Sequence, residues 1–547
     1  MAHTRKVYKK VQRGFGTVST GKLTLASVGG ESGLTRNVIF SSLAKSPHGE
    51  LMEYVEVGQA SARREPEFFA HLISWNAMKG AIRDAKVALP MIALTQPIYT
   101  KESEFKQNAL AHFIKLGPRE LEKAFRFALA LKVPGRGRTL LDLVRRYLKA
   151  RERNWEVWER VAIQHRDTLA NLYALSHLKP KAVRMGKILF EGFAPAGTMF
   201  EAVRQLKNMS PLEAAGTIAA KRIPFLIASG ALGAKMKDTD LLLALINRMT
   251  PVELVTNATM LERLGVKTAP ALRAAWEAKL AQAGKSKRSV LKTGHQAEKI
   301  KDEGMKAQLN ALQEKQLSNL SVKGNWIVAC DKSNSMTQSI EAGKFVAATL
   351  AKMGEGKVTL IFFDTVPARV FDVTGLTLER IQSDTRHVRA DGGTSIGCSL
   401  QYALDRNVEA DGIAVVSDAQ ENTPPFFHDT YKRYVEKQGK EVPIYLYRLE
   451  PGMRGYSDVD LAASMRAAGV DLQEFDLRGM KIDYYSILNL VQTMRTNRYS
   501  LSDEVLAAPL ITVEEAFAKW EKESEDEISP DDPVEVEEGE GREVSHA

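Results

Sequence analysis

From about Leu51 to Leu280, apolar positions recur three and four residues apart in stretches of ten to twenty residues, the spacing of helices with one buried face. Breaks fall at Pro90, Pro118, Pro134, Pro180, Pro195, Pro211, Pro224, Pro251 and Pro270. Several mark helix starts, as in Ser210-Pro211 and Thr250-Pro251, where a capping hydroxyl precedes proline at the first helical position. A Lys- and Gln-rich stretch, Gly284 to Lys323, contains one more amphipathic helix at Met305–Leu320. The period then changes. Short apolar runs predict strands at Trp326–Cys330, Lys357–Phe363, Gly412–Ser417 and Val442–Leu449, alternating with helices near Met336–Lys352, Ile396–Arg406 and Tyr484–Met494.

Helix pairs recurring at a few tens of residues without strand signals predict an all-α solenoid of HEAT type. Alternating strands and helices predict a doubly wound α/β domain with a mostly parallel sheet. The expected division is a flexible arm at 1–45, a helical domain at 46–320, an α/β domain at 321–496 and a tail at 497–547. A helix at Val513–Lys522 opens that tail, which ends acidic and Pro-containing and reads as disordered. In the arm, Gly14–Gly21 has a phosphate-loop look but lacks Lys followed by Ser or Thr.

With 547 residues the chain exceeds one core, and 44% apolar with 26% charged residues is ordinary globular composition. Two cysteines, Cys330 and Cys398, build no disulfide framework; they read as buried small residues, and a reducing cytoplasm is the expected home. The basic Met1–Arg13 is followed by no apolar signal region, and no window approaches a membrane span. The net charge of +9 hides an asymmetry: twelve acids and two bases in 521–547 leave +19 on residues 1–520. A body this basic favours polyanions, while the tail can compete for the same surface or keep the chain soluble.

Candidate chemistry centres first on Ile327–Met336, an apolar run ending in Asp331, Ser333 and Ser335. Thr394 in Asp-Gly-Gly-Thr-Ser and Asp418 after Gly412–Ser417 follow further apolar runs. Carboxylates and hydroxyls suit a hard cation, Mg²⁺ above all, that keeps one position open. The pattern Asp-x-Ser-x-Ser, then Thr, then Asp resembles the metal-ion-dependent adhesion site of von Willebrand factor A domains. Plain turn chemistry capping a helix near Met336 accounts for one of these loops only. Lys332, between the ligands, is a cation placed to weaken a metal. In an α/β sheet all three loops belong at the carboxyl ends of the strands, where ligands bind.

The second centre is Lys132–Arg153, eight bases against Asp142 and Glu152. Arg145, Lys149 and Arg153 recur at i, i+4 and i+8, opposite Leu140, Leu143, Val144 and Tyr147. A solvated face is the plain reading, yet the preceding Pro-Gly-Arg-Gly-Arg pairs backbone room with forked donors for phosphate. His177 and Lys179, in Leu-Ser-His-Leu-Lys-Pro, end a helix and by default partner its last carbonyls.

These motifs, in order, resemble the Ro autoantigen family of TROVE-module proteins and their bacterial and phage relatives. Gly-Arg-Gly precedes a basic helix. Ser-His-Leu-Lys-Pro follows, then Val-Arg-Gln-Leu-Lys-Asn-Met at Val203–Met209, Arg-Ile-Pro-Phe-Leu-Ile-Ala at Arg222–Ala228, and the adhesion-type loop. The likeness covers roughly Gly58 to Met494. It implies an α-helical HEAT-like repeat ring closed by a von Willebrand A domain. It also implies small structured, Y-like RNA on an outer basic surface and single-stranded 3′ ends of misfolded RNA in the hole. By position, the resemblance matches Arg136 to the family's Gly-Arg element, His177 to its RNA-contacting His and Arg204 to the Arg of its Arg-x-Leu-x-x-Met element; Arg138 and Lys179 follow as RNA-binding candidates on charge and proximity, and Arg145 and Lys149 from the basic stripe.

The expectation is an RNA-binding chaperone or scaffold, monomeric apart from RNA, without membrane contact and without catalysis. A metal-dependent adhesion scaffold with incidental RNA binding is the alternative, in which a nuclease or other protein completes the ion's shell. No nucleophile with its base, no Walker loop and no His-Cys metal spacing supports an enzyme.

Overall fold

The computed structural model describes residues 35–36, 39–40, 51–80, 83–101, 103–134, 136–282, 293, 296–297, 299–318, 322–449, 459–470, 472–477, 491, 494 and 500–526. The arm, the Gly14–Gly21 loop, nearly all of the helix expected at Tyr484–Met494 and the acidic end after 526 lie outside the described residues.

Apolar runs long enough to be buried on both faces become central strands. The strands are β1 (Trp326–Asp331), β2 (Val358–Phe363), β3 (Pro367–Asp372), β4 (Gly412–Ser417), β5 (Gln420–Glu421), β6 (Ile444–Arg448), β7 (Val459–Asp460) and β8 (Gln473–Asp476). Six of them form one sheet in the order β3-β2-β1-β4-β6-β8, and β5 pairs with β7 apart from it. All neighbours in the large sheet are parallel except β3, which runs antiparallel to β2. Every residue of β1, β2, β4 and β6 is buried. The two edge strands have no apolar run to announce them. β3 opens on Pro367 and is part-exposed, and proline lacks the N–H that an inner strand must donate.

Helices Thr337–Met353, Gly397–Asp405 and Phe427–Gln438 cover the sheet. The first lies so close to β1 that a Cβ added at Gly343 would stand 2.9 Å from the Cys330 Cβ. Both cysteines are buried thiols, and burial pushes Cys398 up to about 12 and Cys330 higher still. In the same compact unit, helix Ser500–Leu506 packs on helix Pro66–Lys79. Glu504 accepts from the Trp75 Nε1 and from the Lys79 Nζ at 2.9 Å each, and the His71 Nδ1 donates to the Ala508 carbonyl at 2.6 Å.

The other compact unit consists of the described residues within 110–316 and 511–547 and is helical. Helices Pro118–Ala130, Pro211–Lys221, Pro251–Thr256 and Pro270–Gln282 each begin on proline. Ser210 with Glu213 and Thr250 with Glu253 close full capping boxes. Leu206, Ile218, Phe225, Leu245 and Trp276 lie in its core. One expected break is overturned: Pro90, in the first unit, sits inside helix Arg83–Ala93, where the buried Ala88, Leu89, Met91 and Ile92 hold the helix together around it. Among the described residues no helix is long and apolar enough to cross a membrane.

Candidate nucleic-acid interface and candidate metal centre

Helix Leu141–Arg151 buries Leu143, Val144, Tyr147 and Leu148, so its apolar face is the one its periodicity marks. The exposed cations are Arg146, Lys149 and Arg153, whereas Arg145 is half-buried. Its Nε donates to the Ser176 carbonyl at 2.8 Å. That bond corrects the expectation that His177 and Lys179 cap the last carbonyls of helix Arg166–Ser176. His177 instead sits beyond the helix end at φ 52°, exposed.

Glu152 fixes the far side of the same loop. It accepts the Lys181 N–H at 3.0 Å and the Tyr173 hydroxyl. A loop pinned at Ser176 by Arg145 and at Lys181 by Glu152 thus presents His177 and Lys179, both exposed. The signal for Glu152 was present in the sequence as an acid set directly between Arg151 and Arg153, which a structural partner explains. Arg138 is exposed on the turn Arg136–Leu140; the side chain of Arg136 lies outside the described residues.

Arg204 stands apart from these. Its Nη2 donates to the Gly192 carbonyl at 2.7 Å, and its guanidinium lies 5.1 Å from the Phe200 ring centre. Arg166, at the start of helix Arg166–Ser176, reaches the same segment by donating from Nε to the Leu189 carbonyl at 3.2 Å. Arg204 is therefore grouped with the Arg166 end of that helix, whose two ends lie about 16 Å apart at 1.5 Å per residue.

The candidate metal centre is built at the carboxyl end of β1. Asp331 is fully buried; its Oδ1 accepts the Ser333 N–H at 2.8 Å and its Oδ2 accepts the Ser417 hydroxyl at 2.6 Å. Burial pushes the Asp331 carboxyl up to about 6, the nearby Asp418 adds to the rise, and the hydrogen bonds from Ser417 and Ser333 oppose it. The second loop joins the first through Asp391 N–H to the Lys332 carbonyl at 2.7 Å and Asn334 N–H to the Gly392 carbonyl at 3.2 Å. Thr394, buried, is held by its own N–H on the Asn422 Oδ1 at 3.1 Å. Ser333 and Asp418 are buried and Ser335 is exposed.

Lys332 is turned away from this centre. Its Nζ lies 2.6 Å from the Asp364 Oδ2 and donates to the Asp391 carbonyl at 3.3 Å. A buried carboxylate that Asp418 pushes up further, with hydroxyls beside it and the local lysine engaged elsewhere, fits a hard divalent cation. Among the described residues no group of three or more His, Cys, Asp or Glu gathers as a metal cluster; this donor set is two carboxylates with hydroxyls.

Arg448 braces the third loop. It donates to the Asp418 carbonyl at 3.2 Å while pairing with Asp460 at 2.8 Å and Glu474 at 2.6 Å. No sequence signal marked it, because its partners come from three separate segments.

A helical array joined to a doubly wound sheet, with oxygen-bearing loops at the strand ends, is a two-part fold of Ro type. Among solved structures, the crystal structure of the Deinococcus radiodurans Ro (RSR) protein shares it, with a TM-score of 0.57 over 84% of this chain and 98% of that one. At 13% identity the likeness is one of fold, and it agrees with the family resemblance read from the motifs. No family model and no curated protein matches the sequence.

Proposed function

We propose that this protein binds RNA as a Ro-type scaffold without catalysis. It holds small structured, Y-like RNA on the exposed basic surface around His177, and single-stranded 3′ ends of misfolded RNA within a ring of HEAT-type repeats. The observation that supports this is the pinned loop: a His and a Lys held outward by Arg145 and Glu152, beside a helix whose exposed face is cationic. Such a surface neutralises phosphates, and duplex recognition through shape and 2′-hydroxyls needs no sequence readout. Binding of a labelled small hairpin RNA to the full-length protein, at several salt concentrations, tests it. The Arg138, Lys149, His177 triple alanine variant is expected to lose most of the affinity; equal binding would overturn the assignment.

A second reading is supported by the buried Asp331–Asp418 pair. Asp331, Ser333, Ser335, Thr394 and Asp418 would hold Mg²⁺, and the ion would offer an open position to an acidic group of a protein partner, a nuclease among them. Partner capture that ignores both EDTA and Asp331→Ala would remove that role.

A further inference from the structure

Three helices of the helical unit end alike. Beyond Pro118–Ala130, Arg166–Ser176 and Pro211–Lys221 come Lys132, His177 and Arg222, at φ 56°, 52° and 51°. Lys132 N–H bonds to the Leu129 carbonyl at 3.2 Å and Val133 N–H to the Ala128 carbonyl at 3.0 Å. His177 and Leu178 repeat this on Ala174 and Tyr173 at 3.3 and 3.1 Å, and Arg222 and Ile223 on Ala219 and Ile218 at 3.3 and 3.1 Å. Each is the Schellman ending, with its left-handed residue followed by an apolar one. Pro134, Pro180 and Pro224 come next.

The three left-handed positions are 45 residues apart, and then 45 again. A fourth helix, Ala258–Arg263, runs on to the same ending at Gly265, with Gly265 N–H on the Glu262 carbonyl and Val266 N–H on the Leu261 carbonyl, both 3.2 Å, and Pro270 beyond. This interval is that of HEAT units.

Glycine is the least strained occupant of a left-handed residue, and the fourth ending uses it. The first three hold Lys, His and Arg instead, all exposed. Backbone strain kept at exposed cations, at equivalent places in successive units, points to use rather than to packing. The neighbour of Arg222 is a further cation, Arg248, whose pKa burial lowers and Arg222 lowers again.

We propose that Lys132, His177 and Arg222 are equivalent positions of one repeat and form a row that contacts the sugar-phosphate backbone of RNA once per unit, His177 being its middle member. This rests on the RNA-binding reading and extends it to Lys132 and Arg222.

The test uses full-length Lys132→Gly, Arg222→Gly and His177→Gly variants, with Lys237→Ala, an exposed cation outside the row, as control. The probe is a labelled hairpin RNA with a single-stranded 3′ tail. Glycine suits the left-handed ending, so Tm should stay level or rise. Affinity should fall about threefold to tenfold for each variant, and the slope of log K against log salt should flatten by about 0.7 to 0.9 for each lost Lys or Arg. Wild-type binding by the Lys132 and Arg222 variants beside weak His177→Gly binding would overturn the row and leave the RNA reading standing. An equal loss in Lys237→Ala, or losses that track a lowered Tm, would overturn it too. If wild type binds no RNA, both readings fall together.

Discussion

The Arg145 Nε donates to the carbonyl of Ser176 at 2.8 Å, one residue before the left-handed His177. A side chain that the basic stripe marks as a candidate phosphate ligand thus serves to hold the loop that carries His177. Arg145→Met keeps the aliphatic stem but leaves the carbonyl unpaired, and should cost about 1 to 3 kcal/mol of stability. It should also weaken RNA binding in a manner not additive with His177→Ala, because both act on one loop. A double-mutant cycle with hairpin RNA checks this; full additivity would separate Arg145 from the loop's role.

Arg146, the exposed neighbour, is engaged differently. Its guanidinium lies 3.2 Å from Glu514 and 4.6 Å from the Phe517 ring centre, so helix Val513–Asp526 of the C-terminal segment touches the basic helix. With Arg146 42% and Glu514 71% exposed, the ion pair is weak and a polyanion can displace it. The Glu514→Gln, Phe517→Ala double variant should bind hairpin RNA about twofold to fivefold more tightly in 0.1 M salt, a gain that screening at 0.5 M should erase. Unchanged affinity at low salt would show that this contact does not compete.

Mg²⁺ should stabilise the sheet unit by linkage. An ion that binds only the folded state adds about 2.7 kcal/mol at a hundred times its Kd. Thermal melts with and without 5 mM Mg²⁺ should therefore separate in wild type and coincide in Asp331→Asn, where one of the two carboxylates is lost. Equal shifts in both proteins would place the ion elsewhere.

Acid should destabilise the helical unit through two imidazoles, His112 buried and His165 half-buried. Burial holds His112 down to about 3 and His165 to about 4, with Lys115 and Arg119 acting in the same direction. The folded state keeps both neutral while the unfolded chain takes up protons below about 6.5, so the unfolded state binds more protons and stability falls with pH from about 6.5 towards 3. In urea titrations between pH 6 and 4.5, His112→Gln should lose about 1.4 kcal/mol less per pH unit than wild type. Parallel slopes would mean that His112 takes up its proton while folded.

Legibility followed locality. The central strands could be read because an apolar run buried on both faces leaves a continuous mark in the chain: Gly412–Ser417 coincides with β4, and Trp326–Cys330 falls one residue short of β1. The edge strands β3 and β8 leave no such mark. Pro118, Pro211 and Pro251 open helices as N-terminal proline should, whereas Pro90 lies within one, because tertiary burial outweighed the local preference. The cationic face of Leu141–Arg151 was legible as a period but not in its membership, since a spacing cannot tell which of Arg145 and Arg146 turns towards Ser176.

By itself, then, the sequence determined the two kinds of domain, the apolar faces, the oxygen donors after the strands and the basic segment, all properties of residues close together in the chain. Only the tertiary structure decided which charges are spent on structure. Arg145, Glu152, Lys332 and Arg448 find their partners 31, 29, 32 and 30 residues away, at Ser176, Lys181, Asp364 and Asp418. A charge in a linear sequence has no direction, and it acquires one when folding sets a specific carbonyl, amide or carboxylate beside it.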